Sequence, residues 1–285
     1  MKRERAKKII IVEIMVTLVL LLAIILVIAL GINGNKNQKP EGGVLHVKEE
    51  DSSSGKDTAK EPQTQTEDSQ SEEEPVPEHK VVYLTFDDGP GKHTQTLLDV
   101  LDKYNVKVTF FVTNQFPGYL DMITEEAKRG HTVAIHTYSH KYEEVYQSPE
   151  GYIADLQKME AIIKEKTGQS PKIFRFPGGS ASGKAKEYCP GITQTLSKKL
   201  QDMGYTYFDW NVTSGDAGQY KTAEEVANSV ITGIQKHDVS VVLQHDIHEY
   251  SVNAVETILK WGIENGYTFL PLKENSPECH FNISN

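Results

Sequence analysis

The chain has 285 residues, a formal net charge of −10 and only two cysteines. This length allows one or two domains of about 100–200 residues. The acidic balance argues against a nucleic-acid-binding protein, which needs clustered lysines and arginines.

The N-terminus combines a basic segment with an apolar one. Residues 1–8 carry five basic side chains against one acid, and residues 9–31 are almost entirely apolar. The apolar run is long enough to cross a bilayer core of about 30 Å as a helix. The positive-inside rule then predicts that residues 1–8 form a cytoplasmic tail and that the residues after the apolar run lie outside the cell membrane. A cleaved signal peptide is the alternative, although no clear small-residue cleavage site follows the run.

Residues 32–78 form an acidic segment with 12 acids, 5 lysines and almost no aromatic side chains. Such a composition cannot bury enough apolar surface to fold by itself. The segment is therefore predicted to be a disordered linker, a stalk that separates the following domain from the membrane. A role in binding cations or basic partners is the less favoured alternative.

The domain predicted over residues 79–274 alternates between two hydrophobic periods. Strand-like runs occur at Val81 to Phe86, Val108 to Val112, Thr132 to Ile135, Lys172 to Phe176, Thr206 to Trp210, Ser240 to Gln244 and Tyr267 to Leu270. Helical spacing occurs at Thr94 to Tyr104, Tyr119 to Arg129, Tyr152 to Thr167, Ile192 to Met203, Ala223 to Lys236 and Ala254 to Gly262. This alternation indicates an α/β fold with parallel strands, either an open sheet or a barrel. Residues 275–285 are predicted to be a C-terminal tail.

Ionisable side chains lie at or just after the ends of five of the seven predicted strands. They are Asp87, Asp88, His136, His140, Arg175, Asp209 and His245. Because ligands collect at the carboxyl ends of parallel strands, we expect these side chains to form a functional site.

The histidines suggest metal chemistry. His136 and His140 are four residues apart, a spacing at which two imidazoles can share a metal, although this signal alone is weak. A carboxylate from another strand would complete a site with open positions for water and substrate. The adjacent carboxylates of Asp87 and Asp88 should point in different directions, so one can bind a metal while the other accepts a proton.

Five motifs occur in order along this domain. They are TFDDG at Thr85 to Gly89, HTYSH at His136 to His140, RFPGG at Arg175 to Gly179, FDWN at Phe208 to Asn211 and LQH at Leu243 to His245. On these motifs the sequence from Lys80 to Leu272 resembles the polysaccharide deacetylases of the NodB-homology class, carbohydrate esterase family 4. The resemblance extends to membrane-anchored peptidoglycan N-acetylglucosamine deacetylases. It implies a distorted (β/α)7-type barrel and metal-dependent removal of acetyl groups from N-acetylated sugars.

The resemblance also implies roles for individual residues. Asp88, His136 and His140 would hold the metal, Asp87 would be the general base and His245 the general acid. Arg175 would keep Asp87 ionised, and Asp209 would support protonated His245. The implied substrate-binding residues are Pro177, Gly178 with its oxyanion-binding N–H, and Trp210 and Leu243 around the acetyl methyl group. For Trp210 and Leu243, ordinary core packing remains open.

Two departures from the family pattern affect the expected site. Gly178 stands where an aromatic side chain is common, which should open the cleft and leaves the substrate in doubt. Thr206 stands where a further aspartate is often found, which should tune the acid without abolishing activity. Asp246 and His248 match no required position and are expected at the rim or behind the site.

The expected cofactor is one divalent metal, with zinc favoured over cobalt, nickel or manganese. A non-haem iron oxygenase could use the same ligands but has no need of Asp87, Arg175 and His245. The favoured substrate is a cell-wall or surface polysaccharide, above all peptidoglycan. Chitin-like oligomers, an exopolysaccharide, or a silent glycan-binding module are the alternatives. Cys189 and Cys279 could form a disulfide in an exported domain or remain buried thiols.

Overall fold

The computed structural model of the protein describes Pro77 and residues 79–283. The predicted cytoplasmic tail, the predicted membrane segment and almost all of the predicted linker lie outside these residues. No helix in the described part of the chain has the length and apolar character needed to cross a membrane.

Eight strands form one sheet in the described part of the chain. They are β1 (Val81–Asp87), β2 (Thr109–Val112), β3 (Thr132–Ile135), β4 (Ile173–Phe174), β5 (Thr206–Tyr207), β6 (Val212–Thr213), β7 (Val239–His245) and β8 (Thr268–Phe269). Seven of them overlap the predicted runs, and β6 was not predicted.

Among residues 79–283, eight α-helices connect or flank these strands. They are α1 (Thr94–Lys103), α2 (Met122–Lys128), α3 (Tyr142–Val145), α4 (Pro149–Thr167), α5 (Gly183–Tyr188), α6 (Ile192–Asp202), α7 (Ala223–Ile234) and α8 (Glu249–Glu264). The six predicted helices are present, and the short helices α3 and α5 are additional. The α4 boundaries follow local chemistry, because Ser148 caps the first turn by accepting from Gly151 N–H and Gly168 ends the helix with φ 77°.

The sheet is parallel throughout, in the order β5-β4-β3-β2-β1-β7-β6, with β8 paired to β1. β1 pairs with β7 along its whole length, from Val81 opposite Val239 to Asp87 opposite His245. Within the described residues β5 and β6 do not pair with each other, so the curled sheet stays open as a half-barrel. The predicted α/β fold class is confirmed, and the half-barrel is compatible with the distorted barrel expected from the sequence.

Alternation along β1 explains how the fold positions a site. Val82, Leu84 and Phe86 point outward into the core beneath the helices, whereas Val81 and Tyr83 point into the barrel. Each fully buried large apolar side chain contributes about 1.5–3 kcal/mol. The inward series continues to Asp87 at the carboxyl end, so a single strand carries apolar packing below and a catalytic candidate above.

Candidate active site

Adjacent carboxylates at the end of β1 point in different directions because the backbone turns between them. Asp87 is buried at the last strand position, while Asp88 has a left-handed φ of 74°. A non-glycine residue held in this region costs about 1–3 kcal/mol and is characteristic of functional sites. The turn sends Asp87 towards Arg175 and Asp88 towards the two histidines.

Asp88, His136 and His140 come together into a candidate metal centre. Asp88 Oδ1 lies 3.2 Å from His140 Nε2 and 3.7 Å from His136 Nε2. One ligand atom from each residue lies within 4.8 Å of the others. Asp88 Oδ1 is buried without a hydrogen-bond partner among the described residues. A buried carboxylate oxygen needs a partner, so this donor set fits a divalent metal.

His136 is held ready to act as a ligand. Its Nδ1 lies 2.9 Å from the Arg175 carbonyl oxygen, to which it can donate only as an N–H, and this leaves Nε2 unprotonated towards Asp88. Burial, aided by the charge of His140, lowers the pKa of His136 to about 3. The imidazole is therefore neutral, the form that binds metals.

The HTYSH motif is a tight loop after β3 instead of a helical turn. Thr137 and His140 both have left-handed φ values, 73° and 53°. Asp155, on α4, fixes the loop by accepting from Tyr138 N–H at 2.6 Å and from Ser139 N–H at 3.3 Å. A carboxylate remote in sequence thus sets the orientation of His140.

Arg175 fills the upper interior of the half-barrel and is fully buried. Its guanidinium donates to Asp87 Oδ1 at 2.7 Å and Thr85 Oγ1 at 2.6 Å, and to the carbonyl oxygens of Phe208 and Asp209 at 2.9 and 3.0 Å. Burial raises the pKa of Asp87, and the charge of Arg175 opposes this shift. Asp87 is therefore a carboxylate with a fixed orientation and increased basicity.

The partner of His245 differs from the expected one. His245 Nδ1 lies 2.8 Å from Asp216 Oδ1, and the His245 backbone N–H donates to Asp216 Oδ2 at 2.7 Å. Asp209 instead accepts hydrogen bonds from Ser180 and from the Phe281 backbone N–H. The expectation that Asp209 supports His245 is wrong, because the carboxylate of Asp209 is already engaged elsewhere.

His245 lies beside the metal centre, near the Asp88 oxygen that the two histidines do not approach. Its Nε2 lies 4.0 Å from Asp88 Oδ2. Burial disfavours the charged imidazole, but the hydrogen bond to Asp216, its charge and those of Asp88 and Asp87 together raise the pKa of His245 to about 9. A protonated imidazole near a neutral-pH reaction is suited to donate a proton.

Asp216 was missed because the strand before it was missed. β6 has only two residues, and Asp216 follows it by three positions, next to the end of β7. The strand-end rule that selected the other candidates would also have selected Asp216 if Val212 and Thr213 had been assigned to a strand. The FDWN motif drew attention to Asp209 instead.

The comparisons with known proteins agree with this geometry. A model of the family described as polysaccharide deacetylase matches residues 74–208. A peptidoglycan-N-acetylglucosamine deacetylase from Bacillus cereus is 36% identical over 216 residues, 73% of this chain and 73% of that protein. The chain belongs to the polysaccharide deacetylase family.

Two solved structures show the same relationship. The crystal structure of the catalytic domain of a peptidoglycan N-acetylglucosamine deacetylase from Eubacterium rectale is 58% identical, with a TM-score of 0.73, covering 74% of this chain and 96% of that one. The polysaccharide deacetylase Bc1974 from Bacillus cereus is 35% identical, with a TM-score of 0.62, covering 72% and 96%. This chain is therefore a polysaccharide deacetylase by family and by fold.

The RFPGG loop of this deacetylase presents Gly178 to solvent. Gly178 is exposed and has φ 75°, and its N–H makes no hydrogen bond within the described part of the chain. Pro177 is buried, and its carbonyl oxygen accepts from the Tyr146 hydroxyl at 2.8 Å. The loop thus offers a free backbone donor on a fixed support.

The remaining candidates flank the interior of the deacetylase domain. Trp210 and Leu243 are both half-buried, and the Trp210 ring centre lies 5.7 Å from the Arg175 guanidinium carbon. Asp246 is not at the rim: it is buried and accepts a short hydrogen bond from the Thr94 hydroxyl. His248 is half-buried and stacks on Tyr250.

The two cysteines are both free thiols in the structure. Cys189 packs against the core beneath the helices, whereas Cys279 packs against the core inside the half-barrel. Burial raises the pKa of Cys279 to about 11, so this thiol is a packing group at neutral pH. Of the two alternatives, the structure therefore has free thiols and no disulfide between Cys189 and Cys279.

Proposed function

We propose that this protein is a metal-dependent N-deacetylase that removes acetyl groups from N-acetylglucosamine residues of peptidoglycan. The observation that carries the proposal is the convergence of Asp87, the Asp88-His136-His140 centre and His245 at the carboxyl ends of the parallel strands. The names of the relatives in Bacillus cereus and Eubacterium rectale favour peptidoglycan as the substrate.

The metal would be held by Asp88, His136 and His140, and zinc suits two imidazoles and one carboxylate around an open site. When bound, it supplies Lewis-acid activation of water and of the acetyl carbonyl. The chain's own residues then transfer the protons and stabilise the developing negative charge.

Asp87 is placed to accept the proton of the attacking water, with Arg175 holding its other oxygen away from the reaction. The Gly178 N–H is placed to donate to the oxyanion that develops on the acetyl oxygen. His245, held by Asp216, then gives its proton to the sugar nitrogen, and acetate and a free amine are released.

The location of the enzyme is also a proposal. The basic residues 1–8 and the apolar run 9–31 favour a single-pass anchor with the deacetylase domain outside the membrane. The acidic linker 32–78 would give that domain reach towards the wall polymer.

The test is acetate release by the full-length protein from purified peptidoglycan and, separately, from chitin oligomers. Each reaction is run with zinc added and with a chelator, beside an Asp87→Asn variant that retains the metal ligands. We expect zinc-dependent release, greater from peptidoglycan and at least 100-fold lower in the variant. Greater release from chitin oligomers would reassign the substrate, and no release from either by zinc-loaded protein would reject the activity.

A further inference from the structure

The C-terminal segment packs against β5 and the residues that follow it. The Asp209 N–H, just after β5, donates to the Cys279 carbonyl oxygen at 2.7 Å. The His280 ring stacks on Tyr207, with ring centres 3.9 Å apart and planes 15° apart, and its Nε2 lies 2.9 Å from the Tyr207 carbonyl oxygen. Residues expected to be a tail therefore pack against the sheet.

One buried carboxylate connects this segment to the RFPGG loop. Asp209 is fully buried, and its Oδ2 accepts from the Phe281 N–H at 2.8 Å. Its Oδ1 accepts from the Ser180 N–H at 2.7 Å, and the Ser180 hydroxyl donates to Oδ2. Since a buried charge requires such donors, the segment and the loop are held to the same group.

The Phe281 ring lies directly against the loop. A Cβ added to Gly179 would be 2.8 Å from Phe281 Cε2 and 3.1 Å from Trp210 Cη2, so both rings contact the backbone at this glycine. The two rings also meet edge to face, with centres 4.9 Å apart. Gly179 is the neighbour of Gly178, whose free N–H is the proposed oxyanion donor.

We propose that residues 278–281 are a positioning segment of the active site, in which Phe281 holds the loop that presents the Gly178 N–H to the substrate. The inference rests on the proposed deacetylase function. The position of an oxyanion donor matters most in the transition state, so its displacement lowers kcat with little change in KM.

The test compares three variants of the full-length protein by acetate release. Phe281→Ala removes the ring, Phe281→Tyr retains it, and Ile263→Ala removes an exposed apolar side chain on α8 as a matched control. We expect Phe281→Ala to lower kcat roughly tenfold with KM within about twofold, because a displacement of about 1 Å can cost up to 100-fold. Phe281→Tyr and Ile263→Ala should stay close to wild type, and all four proteins should bind zinc equally.

The proposal is overturned if Phe281→Ala keeps the wild-type kcat, or if its loss of activity equals its loss of folded protein or bound zinc. If Phe281→Ala does not fold, Phe281→Leu replaces it, since it keeps apolar volume without the ring. Hydrogen exchange over residues 176–182 reports on the loop without substrate and should be faster in the variant. If the wild type releases no acetate but exchange is faster in the Phe281 variant, the deacetylase function is rejected and the positioning role is supported. If exchange in the variant is unchanged, the positioning role is rejected.

Discussion

The pairing of His245 with Asp216 gives a prediction at the scale of one residue. Asp216→Asn keeps the size of the side chain but removes the charge that stabilises protonated His245. The amide can also present its NH₂ group to His245 Nδ1 and so favour the wrong tautomer. We expect kcat to fall by about 100-fold or more, with zinc binding unchanged, as measured by acetate release and metal titration.

A comparison with Asp209→Asn separates the two aspartates. Asp209 bonds Ser180 and the C-terminal segment, so its loss should lower the free energy of unfolding as well as activity. If Asp216→Asn kept the wild-type kcat while Asp209→Asn lost activity without losing stability, His245 would depend on Asp209 after all.

At the scale of elements, strands that lie within longer apolar runs were predictable, whereas the two-residue strand β6 was not. β1 and β7 have seven residues each, and their apolar runs mark them clearly in the sequence. β6 has two residues, and its place in the sheet comes from pairing with β7 and packing under α7. The strands β4, β5 and β8 also have two residues, but each lies within a predicted run of four or five. β6 lies in no such run, so only tertiary contacts define it.

Prediction of the site residues from the sequence was limited in a similar way. The strand-end rule found Asp87, Asp88, His136, His140 and His245, because topology alone brings these positions to one edge. It could not find the contact of Asp155 with the HTYSH loop or of Phe281 with Asp209, which join segments that are remote in sequence. Such contacts depend on side-chain geometry that no local pattern encodes.

The packing of α7 on β6 gives a prediction for these two elements. Ala has about 1 kcal/mol more helix propensity than Gly, so Gly233→Ala would stabilise an isolated α7. In the fold, however, the added Cβ would lie 2.4 Å from Val212 Cγ1 on β6. We expect overpacking to dominate, with a net loss of about 1–3 kcal/mol in the free energy of unfolding, measured by urea denaturation.

A second glycine provides the control for this substitution. Gly183, in the first turn of α5, has no atom within 4 Å of an added Cβ. Gly183→Ala should therefore leave stability unchanged or slightly higher. Equal behaviour of the two variants would mean that α7 does not rest on β6 as described.

At the scale of the whole domain, buried ionisable groups make folding depend on pH. His131 lies at the start of β3 away from the metal centre, with Nδ1 accepting from the Val108 N–H at 3.2 Å and its ring edge-on to Phe110. Burial, together with the charge of Lys107, lowers the pKa of His131 from 6.5 to about 4. The folded domain therefore holds this imidazole neutral where the unfolded chain protonates it.

This difference destabilises the fold as the pH falls. Above pH 6.5 both states are neutral at His131, and below it the unfolded state takes up a proton first. The loss grows between pH 6.5 and 4 towards about 3 kcal/mol, since one pKa unit corresponds to about 1.4 kcal/mol. The His131→Asn variant keeps an acceptor for Val108 N–H but does not titrate, so it should lack this contribution.

The measurement is the free energy of unfolding of the wild type and the variant, by urea denaturation at pH 7.5 and 4.5. The wild-type advantage over His131→Asn should shrink by about 2 kcal/mol at the lower pH. His237→Asn, at an exposed histidine, serves as the matched control and should follow the wild-type curve. A constant difference between wild type and His131→Asn across this range would mean that His131 can be protonated in the folded domain without cost, contrary to its burial between β2 and β3.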